Sequence, residues 1–91
     1  MIPTTIPVPF DHIVFTEFDD REGVLVDLNA KRYYTLNETA TQVWRLLEKQ
    51  RTFAEIVNEL TAIYDVTDAH AAASVERLLS DLRMRGLVRH R

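Results

Sequence analysis

The sequence predicts an α+β domain in which a three-stranded antiparallel sheet is followed by a three-helix bundle. Two observations predict it: residues 10–36 show the two-residue alternation of strands, and residues 37–86 show the spacing of amphipathic helices. Strands grouped before helices favour a sheet on one side of a small bundle. Three helices with a sheet attached also make the domain winged-helix-like. The 91 residues suffice for one such domain with a single core.

The chain begins with a proline-rich stretch. Its three prolines, Pro3, Pro7 and Pro9, predict an extended N-terminal segment over residues 1–9. The folded domain is then expected to span residues 10–91.

The first two predicted strands are apolar. The first, over residues 10–18, is rich in β-branched and aromatic residues and places Ile13 and Phe15 on one face. The second begins after Gly23 and alternates apolar residues with Asp27. This alternation predicts one buried face formed by Val24, Val26 and Leu28.

The third predicted strand, Lys31 to Leu36, follows a two-residue turn at Asn29-Ala30, because Asn tolerates positive φ. If Leu36 points inward, Tyr34 does as well, and Tyr33 faces away. This strand is expected at the edge of the sheet. An edge strand presents unpaired backbone groups to which another chain can bind.

Each predicted helix has a start signal. The signals are Asn37 for the first helix, a Thr52–Glu55 capping box for the second, and Thr67 or Asp68 for the third. Gly86 ends the third helix as a left-handed residue. Aromatic residues on the apolar faces, Trp44 above all, are expected to pack in the core.

Composition argues against several functional classes. The chain has no cysteine, which excludes disulfides, thiolate catalysis and most zinc sites and suits a reducing cytoplasm. No signal-peptide pattern and no apolar run of membrane-spanning length is visible, so no membrane partner is expected. We therefore expect a cytoplasmic protein.

The sequence contains no catalytic or metal-binding constellation. The histidines are scattered at His12, His70 and His90, and only His70 has a partner at helical spacing, Ser74. The acidic turn at residues 19–22 lacks the ligand spacing of an EF-hand. With two glycines in the chain, no phosphate-binding loop is expected. We predict no catalytic residues, no metal and no cofactor.

The net charge of −3 is unevenly distributed. Residues 1–75 carry twelve acidic and six basic side chains, whereas residues 76–91 carry five arginines and two acidic residues. The basic end makes a winged-helix nucleic-acid binder the main alternative. The third helix begins with acidic and small residues, Asp68 to Ala72, where a recognition helix is usually basic or amide-rich. The sequence therefore disfavours nucleic acid as a partner.

Three segments carry a family resemblance: EGVLVDLNAKRYYTLNETATQVWRLL, TFAEIVNELTAIYDV and LLSDLRMRGLV. In this order and spacing they resemble the PqqD family, the leader-peptide recognition elements of ribosomal peptide natural product biosynthesis. The resemblance covers about residues 10–89 and implies that the folded domain, residues 10–91, is a peptide-recognition domain. The stretch from Asp27 to Asn37 is most similar to the discrete recognition component of split lasso-peptide proteases.

The resemblance implies that a leader peptide adds a strand beside the third predicted strand and lies in a cleft against the third helix. The pairing residues would be Lys31, Arg32, Tyr33, Tyr34, Thr35 and Leu36. Helical spacing assigns Ala71, Val75, Leu78 and Leu82 to the core. The cleft face would be Ala72, Glu76, Leu79 and Arg83, with Val75 shared. Arg32 or Arg83 is a candidate to pair with an acidic leader residue.

The implied partners are the precursor leader peptide and a separate leader protease or other modifying enzyme. The free edge also allows a homodimer. Four backbone hydrogen bonds would contribute about 2–6 kcal/mol, and ordering a leader costs roughly 2–5 kcal/mol. Pairing alone therefore leaves little net affinity. Selectivity must come from leader side chains buried in the cleft, at about 1.5–3 kcal/mol for each large apolar anchor.

Overall fold

The computed structural model describes residues 7–19 and 21–89. Its elements are β1 (Val8–Pro9), β2 (Ile13–Glu17), β3 (Gly23–Asp27), β4 (Arg32–Leu36), α1 (Glu38–Glu48), α2 (Phe53–Ile63), α3 (Asp68–Met84) and β5 (Val88–Arg89). A three-stranded sheet followed by three helices confirms the predicted α+β class. Most of the predicted N-terminal segment, residues 1–6, lies outside the described residues, as do Asp20, His90 and Arg91.

The sheet is antiparallel with the order β2-β3-β4. Phe15, Leu25 and Tyr34 lie side by side across it and face the helices, with Leu25 fully buried. Leu36 is buried on the same face, whereas Tyr33 points away and is 73% exposed. The predicted directions of the two tyrosines are confirmed.

The buried face of β3 differs from the prediction. Leu25 and Asp27 face the core at 0% and 7% exposure, whereas Leu28, which was expected to be buried, is 57% exposed. Val24 and Val26 lie on the opposite face of the sheet, where Val24 is buried and Val26 half-buried. Both faces of β3 carry apolar side chains. The alternation with Asp27 therefore indicated the wrong face of the strand as the one that packs on the core.

The turn between β3 and β4 also differs from the predicted two-residue turn at Asn29-Ala30. It contains four residues, 28–31, and the positive φ of 58° belongs to Lys31. Asp27 explains this geometry. Its Oδ1 accepts the Asn29 and Ala30 N–H groups at 3.0 and 2.9 Å, and its carbonyl accepts the Lys31 N–H at 2.8 Å. The two bonds to Oδ1 also satisfy a carboxylate that is otherwise costly to bury.

The predicted helix starts are confirmed. Asn37 Oδ1 accepts the Ala40 N–H at 2.9 Å, Thr52 and Glu55 form a reciprocal capping box, and Thr67 caps α3. Gly86 has the expected positive φ of 72°. Trp44 is fully buried in the core, and its Nε1 donates to Glu48 Oε2 at 3.1 Å.

The two ends of the described chain pair with each other. β1 is antiparallel to β5, with Val8 opposite Arg89 and Pro9 opposite Val88. Leu87 and Val88 are buried, and the Phe10 N–H donates to the Leu87 carbonyl at 3.3 Å. The sequence predicts an extended N-terminal segment but not this pairing, since two-residue strands leave no periodic pattern.

Candidate functional site

β4 forms an edge of the three-stranded sheet, because β3 is the one strand that pairs with it in the described part of the chain. Hydrogen-bonded and non-hydrogen-bonded pairs alternate along an antiparallel ladder. The Phe18 N–H donates to the Glu22 carbonyl and the Leu28 N–H to the His12 carbonyl, both at 3.0 Å. Even-numbered residues of β3 therefore bond to β2, and odd-numbered residues bond to β4.

This alternation fixes which backbone groups β4 presents at its open edge. Arg32, Tyr34 and Leu36 lie opposite odd-numbered residues of β3 and bond inward. Tyr33 and Thr35 consequently direct their N–H and C=O groups away from β3. The open edge thus offers two donors and two acceptors, the requirement for adding one more short antiparallel strand.

A cavity of about 440 Å³, the β4–α3 groove, lies beside this edge. Its walls are β4, the start of α1 and the second half of α3, and Leu87 forms part of its buried floor. The lining residues are Tyr33, Tyr34, Thr35, Leu36, Asn37, Ala40, Leu78, Asp81, Leu82, Arg85 and Leu87. Four of the sequence-predicted site residues, Tyr33 to Leu36, are therefore together in one groove.

The α3 face of the groove is not the one expected from the sequence. None of the four predicted cleft residues, Ala72, Glu76, Leu79 and Arg83, is among the groove-lining residues. Leu79 is buried in the core, whereas the half-buried Leu78 faces the groove. The core stripe of α3 is Ala71, Val75, Leu79 and Leu82, so the groove stripe runs along Leu78, Asp81 and Arg85.

Three other predicted site residues are not among the groove-lining residues. Lys31 and Arg32 are exposed and line a shallow depression under the β3–β4 turn. Val75 belongs to the core and lines a second cavity, of about 560 Å³ between α1 and α3, that shares lining residues with the groove. The structure thus brings residues 33–36 of β4 together with α3, as predicted. The α3 side chains that face them, Leu78, Asp81 and Leu82, are not the predicted ones.

Arg85 is a groove residue that the sequence analysis missed. Its Nε donates to Asp81 Oδ2 at 3.1 Å, and its guanidinium carbon lies 5.6 Å from the centre of the Tyr34 ring. Asp81 and Arg85 stand four residues apart on α3, a spacing that favours ion pairs on a helix surface. The spacing of the two residues is visible in the sequence, but their position at a groove beside β4 is not.

Two side chains outside the groove, Asp19 and Tyr64, have shifted pKa values because of their local hydrogen bonds and burial. The Arg21 and Glu22 N–H groups donate to Asp19 Oδ1 and lower the pKa of that carboxyl. Burial raises the pKa of Tyr64, whose hydroxyl donates to Glu38 Oε2 at 3.2 Å. Neither group lines the groove.

The described residues contain no group of three or more His, Cys, Asp or Glu side chains placed to hold a metal ion. His12 Nε2 lies 3.8 Å from Asp27 Oδ1 below the β3–β4 turn, and His70 lies in the first turn of α3. No helix in the described ranges has the length and apolarity to cross a membrane.

Comparison with known proteins gives one family and two similar structures. The sequence model of the family described as "Coenzyme PQQ synthesis protein D (PqqD)" matches residues 22–88. A structure described as "TbiB1 in Complex with the TbiA(beta) Leader Peptide" has a TM-score of 0.84 at 28% identity, over 89% of this chain and 93% of that chain.

A second structure, "Lasso peptide synthetase B1 complexed with the leader peptide", has a TM-score of 0.82 at 23% identity. The match covers 96% of this chain and 99% of that chain, and at this identity it shows a common fold. No curated protein matches the chain significantly.

Proposed function

The chain belongs to the PqqD family, and from this premise we propose that it binds the leader region of a precursor peptide as an added strand beside β4. One observation carries the proposal: the open backbone groups of Tyr33 and Thr35 lie along a groove whose floor is apolar. The similar TbiB1 structure is described as a complex with a leader peptide, which supports leader binding as such.

Strand pairing would divide the leader side chains between two faces. Residues that align with Tyr34 and Leu36 point into the β4–α3 groove, toward Leu78, and their neighbours point to the outer face beside Tyr33. Backbone pairing holds the peptide without reading its sequence. The groove-facing side chains therefore supply the selectivity, and two or three apolar anchors would give a Kd on the order of micromolar to tens of nanomolar.

Arg85 replaces Arg83 as the candidate partner for an acidic leader residue. The guanidinium is already oriented by Asp81 and by the Tyr34 ring, so little side-chain entropy would be lost on binding. A leader carboxylate at this position would compete with Asp81 for the same donors. We therefore expect a leader that carries an acidic residue near its groove-facing anchors.

The domain would pass the bound precursor to a separate processing enzyme, most simply a lasso-peptide leader protease. Pairing at β4 occupies one backbone edge of the peptide and leaves its second edge and outward side chains accessible. The neighbouring outer face of the sheet carries the exposed apolar residues Val14 and Leu28. In this scheme the domain does no chemistry itself, and its cytoplasmic localisation stays a prediction from composition.

A titration tests the proposal directly. The probe is the fluorescein-labelled leader of the precursor encoded beside the gene of this chain, and its anisotropy is measured against protein concentration. We expect a Kd of about 1 μM or tighter. Glu76→Ala serves as the control, because Glu76 is exposed on α3 and lies outside the groove. A Kd weaker than about 1 mM for the unchanged protein would contradict leader binding.

The open edge also permits pairing of β4 with β4 of a second copy. Such a dimer and the leader would compete for the backbone groups of Tyr33 and Thr35. Light scattering with and without leader distinguishes the two. If the protein is a dimer that dissociates on adding leader, both use the same edge.

A further inference from the structure

The sheet has a second edge, formed by β2, that the proposed function does not use. Within residues 7–19 and 21–89, β3 is the one strand that pairs with β2. Because even-numbered residues of β2 bond to β3, Phe15 and Glu17 direct their N–H and C=O groups away from the sheet. This β2 edge therefore presents two donors and two acceptors, as the β4 edge does.

The β2 edge lacks the features that keep an exposed edge from pairing. It holds no proline or lysine, and its one charged side chain, Glu17, forms an ion pair with Arg45 of α1. Val14 and the following Phe18 lie on the outer face of the sheet and are 42% and 66% exposed. Phe18 continues the ladder, since its N–H donates to the Glu22 carbonyl at 3.0 Å. The edge is thus open to another strand and carries exposed apolar side chains.

We propose that the β2 edge pairs with the β2 edge of a second copy of the chain, antiparallel and about a two-fold axis at Thr16. In this register Phe15 lies opposite Glu17 of the second copy, and each pair exchanges two backbone hydrogen bonds. All open donors and acceptors of both edges are then used. The contact is isologous, so it closes as a dimer.

The occupant is inferred from the self-complementarity of the strand. Val14 and Phe18 stand two residues before and two residues after Thr16, so the axis places Val14 of each copy against Phe18 of the other. These are non-hydrogen-bonded pairs, in which side chains approach most closely. An aromatic residue opposite a β-branched one is a favourable cross-strand pair. An identical strand therefore covers the two apolar side chains that the single chain leaves exposed.

The backbone favours this register over the adjacent one. A two-fold axis at Phe15 would pair Ile13 with Glu17 of the second copy. The Ile13 N–H already donates to the Phe10 carbonyl at 3.1 Å and is not open to a partner. The axis at Thr16 uses residues 14–18 alone and leaves that bond in place.

The dimer would contain one continuous six-stranded sheet in the order β4-β3-β2-β2-β3-β4. Its outermost strands are the two β4 strands, whose edges stay open. Dimerisation and strand addition at β4 are therefore independent, and the dimer keeps two separate edges for an added strand. A dimer made through the β4 edge would keep neither.

Disulfide formation tests the register. The chain has no cysteine, so Thr16→Cys introduces a single thiol. Opposite residues of a non-hydrogen-bonded pair have Cα atoms about 4.5 Å apart, which a disulfide can span. We expect mild oxidation to convert most of the Thr16→Cys protein to a covalent dimer on a non-reducing gel. Thr35→Cys, at an exposed threonine of β4, is the matched control and should stay largely monomeric. Equal cross-linking of the two variants would overturn the proposal.

Sedimentation velocity measures association without a cross-link. At about 100 μM the unchanged protein should have twice the 10.6 kDa mass of one chain. Phe18→Asp should weaken the dimer Kd at least about 100-fold, because each dimer loses the Val14–Phe18 contact twice. The control is Leu28→Asp, since Leu28 is also exposed on the outer face but lies beyond the paired residues 14–18. It should change the dimer Kd less than about twofold.

Folding and leader binding are measured on the same variants. Phe18→Asp should keep the circular dichroism of the unchanged protein and bind leader within about twofold of it, because Phe18 does not line the groove. A saturating amount of leader should leave the dimer intact. The dimer and the leader complex can therefore fail separately: absence of leader binding would contradict the proposed function and leave the dimer in place.

Three outcomes would overturn the proposal. The first is a protein that is monomeric at about 100 μM, including one that binds a processing enzyme instead through the β2 edge. The second is a dimer that Phe18→Asp weakens no more than Leu28→Asp does. The third is a dimer that dissociates on adding leader, because that contact would lie at β4.

Discussion

At the scale of single residues, Leu78 and Leu79 have different environments although they are adjacent and chemically identical. Leu79 is buried in the core, and Leu78 is half-buried at the groove. Successive helical residues are about 100° apart around the axis, so one leucine packs under α3 while the next faces β4. Substituting each leucine separately therefore shows which of the two contacts the leader.

Truncating each leucine to Ala should separate binding from stability. Leu79→Ala should lower the free energy of unfolding by about 2–5 kcal/mol through the cavity it leaves in the core. Leu78→Ala should lower it by only about 1 kcal/mol but weaken leader binding about tenfold. Urea denaturation and anisotropy measure the two effects. Unchanged affinity of Leu78→Ala would contradict the groove assignment.

The sequence predicts local features well and fails where a choice depends on distant parts of the chain. Caps at Asn37, Thr52 and Gly86 are set by bonds within a few residues, and all three are confirmed. The choice between Leu78 and Leu79 is not local, because both satisfy the helical spacing. It depends on where β4 lies relative to α3.

At the scale of elements, β4 combines an open backbone edge with one side of the groove. Its N–H groups fall into two classes, those of Arg32, Tyr34 and Leu36 toward β3 and those of Tyr33 and Thr35 toward the edge. A substitution that removes an edge-facing N–H can therefore leave the pairing with β3 in place. Thr35 is suitable, because its side chain is exposed.

We expect Thr35→Pro to weaken leader binding by at least about tenfold, because it removes one donor and places a ring against the incoming strand. The matched control is Thr35→Val, which keeps the N–H and the β-branched shape. Circular dichroism checks that both variants retain their fold. If Thr35→Pro stays folded and binds as tightly as Thr35→Val, the leader does not pair with this edge.

The β3–β4 turn shows the limits of sequence interpretation at this scale. Asn29-Ala30 has the composition of a tight turn, yet Asp27 organises a four-residue loop through three backbone N–H groups. The same aspartate misled the prediction of the buried face, since a charged residue was expected to point to solvent. A buried carboxylate that caps a turn is satisfied by the backbone, and composition does not reveal that.

At the scale of the whole molecule, the segment after α3 joins parts of the chain that are far apart in sequence. Leu87 is fully buried, lines the floor of the groove, and accepts a hydrogen bond from Phe10 through its carbonyl. The adjacent Val88 is buried in β5, paired with β1. The pairing of the two chain ends therefore also holds Leu87 in place in the groove floor.

Leu87→Ala should lower the free energy of unfolding by about 2–5 kcal/mol, because it leaves a cavity where the two ends meet. Met84→Ala, at an exposed position three residues earlier, should change it by less than about 0.5 kcal/mol. Urea denaturation compares the two. Equal stabilities would show that the terminal segment does not contribute to the core.

The winged-helix nucleic-acid binder stays an alternative that a binding experiment on the whole protein tests. The first turns of α3 expose Asp68, Ala69, His70 and Ala73, and none of these is a lysine or arginine that would contact a phosphate backbone. We expect no measurable affinity for random duplex DNA in a low-salt anisotropy titration. Binding whose log K falls with log salt at about −0.9 per phosphate contacted would instead favour the nucleic-acid function.

Hydrogen exchange of individual amides tests strand addition at β4 most directly. NMR spectra are recorded in deuterated buffer with and without a saturating amount of leader. The amides of Tyr33 and Thr35 should exchange markedly more slowly with leader, whereas those of Phe15 and Glu17, on the opposite edge at β2, should not change. Protection confined to the β2 edge, or unchanged exchange at Tyr33 and Thr35 in the bound state, would contradict leader recognition by strand addition.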